Sequence, residues 1–95
     1  MIGNIQNYFE HLVYDRIRQV LIERGDELDT AHMDDLACVA LNRLPPRYVR
    51  FSVDLTTRLT DEDWELINRQ VAEAVDYALR TTRRRSELRL DEAIE

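Results

Sequence analysis

Apolar residues recur at spacings of three and four through residues 4–24: Ile5, Tyr8, Phe9, Leu12, Val13, Ile17, Val20 and Leu21. That spacing puts them on one face of an α-helix. Asn7, Glu10, Asp15, Arg18 and Gln19 fall on the other face, and Gly25 stands where a helix can end in a left-handed residue. Residues 26–30 are a polar linker in which Asp29 or Thr30 can cap a second helix. That helix is predicted over 31–44, with Met33, Leu36, Ala37, Ala40, Leu41 and Leu44 as its buried stripe. Over 48–55 the period changes to two: Val49, Phe51, Val53 and Leu55 alternate with Arg50, Ser52 and Asp54, which predicts a strand with one buried face. A third helix is predicted over 60–82. Thr60 is its cap, Asp61, Glu62 and Asp63 suit its N-terminal dipole, and Trp64, Ile67, Val71, Ala74, Val75, Ala78 and Leu79 form its apolar stripe.

A single strand leaves backbone N–H and C=O groups unpaired. Its simplest partner is the same strand of a second copy, antiparallel about a two-fold axis; pairing with 87–90 is the lesser alternative. The pattern therefore predicts one mainly α domain over 1–95, with three helices and one β-strand pairing across a homodimer. Residues 86–95 are a tail that docks on a partner subunit or frays.

At 95 residues the chain buries only roughly 65% of its unfolded surface, so self-association would add needed stability. The net charge of −6 disfavours nucleic acid or an anionic membrane as a partner through the overall field. Arg83, Arg84 and Arg85 could still contact phosphate, although a favourable helix-end pairing and a solvated tail explain them better. All 13 basic residues are arginines, which composition bias explains more readily than function. No apolar run is long enough to cross a membrane and no leader pattern is seen, which predicts a cytoplasmic protein.

Catalytic groupings are missing. The chain has no phosphate-cradling glycine loop, no His-Glu-x-x-His and no recognisable nucleophile–base pair. The carboxylates at 34–35 and 61–63 sit where helix N-termini explain them. His11 reads as a boundary residue of the first helix, and Cys38 as a buried or half-buried inert thiol. A non-enzymatic binding module is the expectation.

Its candidate site is the break between the second helix and the strand. Pro45 and Pro46 stop the helix and force extended geometry on the residue before each of them. Arg43 and Arg47 flank the break, followed by Tyr48 and Arg50. Guanidinium forks match phosphate oxygens and the O6/N7 edge of guanine, and aromatic rings stack on bases. A two-fold dimer would present two such corners to a ligand that is itself two-fold, as a cyclic dinucleotide is. Asn42 could bond a base edge or cap the helix. The plainer alternative is that Leu44-Pro-Pro only turns the chain, with Tyr48 packed on the first helix.

The string Ala40-Leu-Asn-Arg-Leu-Pro-Pro-Arg-Tyr-Val49 resembles the signature of the late competence development ComFB family. Asn7-Tyr-Phe-Glu-His-Leu-Val13 is similar to the start of its members. The resemblance runs from the first helix through the signature and is weakest after Val49. It implies a small bacterial receptor for cyclic di-GMP, or cyclic di-AMP, signalling to a downstream protein in competence, type IV pilus or motility control. Carried over to this chain, it points to Asn42, Arg43, Arg47 and Tyr48. Some relatives hold zinc in a cysteine cluster near the start of the second helix. Here only His32 and Cys38 are available and a tetrahedral site takes about four ligands, so no zinc or other cofactor is expected. The competing reading is an adaptor that binds a protein without any ligand.

Overall fold

The computed structural model describes residues 6–50 and 58–82. The described chain runs β1 (Gln6–Asn7), α1 (Phe9–Arg24), α2 (Thr30–Asn42), β2 (Tyr48–Val49) and α3 (Asp61–Thr81). Each helix packs on the other two. Among the described residues the mainly α, three-helix fold read from the periodicity is the one present.

The helix ends follow from their residues. Gly25 closes α1 at φ 73°, a left-handed backbone that costs glycine little. Its N–H donates to the carbonyl of Ile22, and that of Asp26 donates to Leu21, which completes a Schellman turn. Asp29 opens α2 by accepting from the backbone N–H of Ala31 at 3.0 Å. Thr60 and Asp63 form a reciprocal box at the start of α3: the Thr60 hydroxyl accepts from the Asp63 N–H at 3.1 Å, and the Asp63 carboxylate accepts from the Thr60 N–H at 2.9 Å.

That box has a pH signature. The Asp63 carboxyl is held below its ordinary value, first by the Thr60 backbone N–H, then by the Thr60 side chain, with the Arg47 charge a smaller contributor. A lowered folded pKa stabilises above the unfolded value, and the stabilisation is lost as pH falls through the folded value. Thr60→Ala is therefore expected to cost about 1 kcal/mol at pH 7. Only the part of that deficit due to the Thr60 hydroxyl beside the carboxylate should shrink as the buffer is taken below the ordinary carboxylate range, because alanine keeps the Thr60 N–H that lowers the Asp63 pKa most; urea unfolding at each pH reads it.

The core is one cluster drawn from all three helices. Phe9, Val13, Ile17 and Leu21 come from α1, Leu36 and Ala40 from α2, and Ile67, Val71, Val75 and Ala78 from α3. Ala37 and Ala40 let α2 approach closely. The Tyr14 hydroxyl donates to Asp34 Oδ1 at 3.2 Å, bridging α1 to α2 outside the core.

Three details differ from the periodicity. The first helix starts at Phe9, because Gln6–Asn7 form a strand instead. That strand pairs antiparallel with Tyr48–Val49, in the register Gln6↔Val49 and Asn7↔Tyr48. The described part of the strand predicted over 48–55 thus has its partner within the chain, so the orphan-strand argument for self-association does not apply to these two residues. Cys38 is exposed. It sits one residue, or about 100° of helix, beyond buried Ala37 and so leaves the packed stripe. Residues 51–55, Arg83 to Arg85 and the tail 86–95 lie outside the described residues.

Candidate functional site

The site is built where α2 ends. The Arg43 N–H donates to the Ala40 carbonyl at 3.0 Å and the Leu44 N–H to Leu41 at 3.2 Å, tightening the last turn. Leu44, 8% exposed, plugs that turn into the core, while Pro45 and Pro46 stay at the surface. The chain is then stapled to the entry of α1. The Arg47 N–H donates to Asn7 Oδ1 at 3.1 Å, and the Arg47 carbonyl accepts from the Tyr8 N–H at 2.6 Å. Asn7 Oδ1 also accepts from the Phe9 N–H at 3.1 Å, so one carboxamide oxygen holds both the start of α1 and the far side of the elbow.

The elbow lies across α3, and its two arginines line adjoining clefts. Arg43 lines the smaller one, about 130 Å³, with Leu44, Pro45, Gln70 and Glu73. Its guanidinium carbon stands 4.0 Å from the centroid of the Tyr77 ring, a cation–π stack. Arg80 approaches the same ring at 5.9 Å while paired to Asp76 at 3.0 Å. Arg47 lines the larger cleft, about 380 Å³, together with Arg58, Asp63, Leu66 and Phe9. Pro45 and Gln70 line both clefts, so Pro45 forms the ridge between them. Behind the ridge Tyr8 is buried, with its ring centroid 6.3 Å from that of half-buried Trp64. Burial pushes the Tyr8 hydroxyl above its ordinary pKa, and the Arg47 charge partly offsets this.

Sequence comparison finds a family match whose span includes the elbow. The family model for the late competence development protein ComFB covers residues 6–86. The chain belongs to the ComFB family. No match was found among curated proteins or among solved structures.

Within this ComFB chain the expected site residues separate as follows. Arg43 and Arg47 point into neighbouring clefts rather than one. Tyr48 is 67% exposed on β2 and is not packed on α1. Asn42 is exposed as the last residue of α2, and its side chain caps nothing among the described residues. Arg50 is exposed at the bend after β2. Sequence reasoning missed Tyr77, Arg58, Asp63 and Gln70. On α3 a signal was present: 63, 66, 70, 73 and 77 recur at helical spacing as a stripe beside the core.

His32 is buried and Cys38 exposed, so the two side chains face different surroundings. Among the described residues no three His, Cys, Asp or Glu side chains gather where they could hold a metal ion. No described helix is long and apolar enough to cross a membrane.

Proposed function

We propose that this ComFB chain is a non-enzymatic receptor for a cyclic dinucleotide, cyclic di-GMP first and cyclic di-AMP second. In this reading it works in the cytoplasm as a homodimer and signals to a protein partner in competence, pilus or motility control. The observation that carries the reading is the pair of adjoining clefts split by Pro45. One holds a guanidinium already laid on an aromatic ring, the other holds Arg47 and Arg58 together. A purine can stack on Arg43 or Tyr48, and a phosphodiester can be gripped by Arg47 and Arg58. Asp63 limits the positive charge of the larger cleft, which favours a ligand that also offers a donor edge, as guanine N1–H and N2–H do. The dimer is proposed from ligand symmetry: two phosphates and two purines match two elbows.

Titration calorimetry with cyclic di-GMP and cyclic di-AMP side by side tests this. Arg43→Ala, Arg47→Ala and Arg58→Ala are each expected to weaken binding tenfold or more, about 1.4 kcal/mol. Saturable binding that all three leave untouched would remove the elbow as the site. No saturable heat with either dinucleotide would leave the ligand-free adaptor as the better reading.

A further inference from the structure

A third cleft, about 560 Å³, lies between α1 and α3. On α3 its residues 68, 69, 71 and 72 face the opposite side of the helix from 63, 66, 70, 73 and 77, which belong to the elbow side. On α1 it is lined by Leu12, Asp15, Arg16 and Gln19, one stripe at spacings of three and four. Leu12, Val71 and Ala72 give it an apolar floor.

The notable group is Arg16. The residue is half-buried, and its Nε is shielded from water with no hydrogen-bond partner. A guanidinium is charged at every accessible pH and carries only donors, so a buried Nε–H without an acceptor is a standing cost. Arg69 reaches the same cleft from α3. Neither arginine has an ion-pair partner among the described residues. Two arginines from facing helices, with Gln19 and Asn68, line one cleft, and guanidinium pairs of this kind suit an oxyanion. Nothing among the described residues compensates the two charges by ion pairing. Asp15 opposes the pair, yet one carboxylate against two guanidiniums leaves the cleft net positive. The volume falls within the range of about 300–1,000 Å³ seen for small-molecule sites.

We propose that this α1–α3 cleft is a second binding site, independent of the elbow, for a small organic oxyanion: a phosphate monoester or a carboxylate whose apolar part rests on Leu12, Val71 and Ala72. Arg16 offers its guanidinium from the α1 wall of the cleft and Arg69 from the α3 wall.

The test is an NMR titration of ¹⁵N-labelled protein, following the Arg16 Nε–Hε signal, assigned by its loss in Arg16→Gln. Inorganic phosphate and succinate are the two probes, with sodium chloride at matched ionic strength as the control. The expected result is a saturable shift of that signal and of the backbone amides at 12–19 and 68–72. The probe that binds tighter identifies the phosphate or the carboxylate source. Arg69→Gln, at an exposed position, should weaken binding at least about fivefold and Asp15→Asn should strengthen it about threefold, as single charges at a solvent-open cleft do. Arg43→Ala should leave it unchanged, which separates this site from the elbow. A shift that chloride reproduces, that rises without saturating, or that ignores Arg69→Gln and Asp15→Asn would overturn the proposal.

Discussion

Phe9→Ala is expected to lower the free energy of unfolding by about 3–5 kcal/mol. Phe9 is the first residue of α1 and 1% exposed. Its ring belongs to the cluster shared by all three helices, and the same side chain forms a wall of the Arg47 cleft. Truncation loses the transfer free energy of the ring and leaves a cavity that three packed helices cannot fully close. A 95-residue domain has a total stability of only about 5–14 kcal/mol, so this one change removes a large share of it. Urea unfolding should show a lower midpoint with an unchanged slope. Phe9→Leu keeps most of the volume and should cost less than about 1.5 kcal/mol. A loss under 1 kcal/mol for the alanine variant would mean that Phe9 is not part of a packed core.

The same residue shows what the sequence makes legible. Phe9, Val13, Ile17 and Leu21 recur at helical spacing, and all four are buried. Gly25 and Thr60 end and begin helices as their backbone and side-chain chemistry requires. These features are local, so periodicity and capping reveal them. β1 is two residues long and has no period to detect. Its strand geometry comes from pairing with Tyr48 and Val49, far away in sequence, which no local pattern encodes. Asn7 therefore read as one polar residue on a helix face. Cys38 was misread because thiols are usually buried, whereas its angle around α2 carries it past the core.

The site divides the same way. The proline pair at 45–46 and its flanking arginines were visible as a rigid corner. Which face of α3 that corner would cross was not, because it depends on how α2 and α3 pack. Only the packing puts Tyr77 under Arg43 and Arg58 beside Arg47. The separation of Arg43 and Arg47 into adjoining clefts has the same origin: Pro45 occupies the space between them as a ridge.

Asn7→Ala is the second large effect, and it reaches stability and the proposed binding together. The Asn7 Oδ1 atom accepts from two backbone N–H groups, Phe9 and Arg47, each at 3.1 Å. Alanine leaves both without that acceptor. The Phe9 bond is part-buried and the Arg47 bond exposed, so water recovers only some of the loss. The expected cost is about 1–3 kcal/mol. Amide exchange should quicken at Phe9 and Arg47 more than in the middle of α3. Because one of the two bonds that hold the Arg47 backbone is lost, cyclic dinucleotide affinity should fall although no ligand-facing group has been removed. Asn7→Asp keeps both acceptor positions and adds a negative charge at the start of α1, where the helix dipole favours it. That variant should retain wild-type stability and exchange, and it should keep the elbow in place. If Asn7→Ala exchanged and unfolded like wild type, the Tyr8 N–H bond to the Arg47 carbonyl, the prolines and Leu44 would be enough to hold the elbow. If Asn7→Asp failed along with it, the amide nitrogen rather than the shared oxygen would be the group that matters.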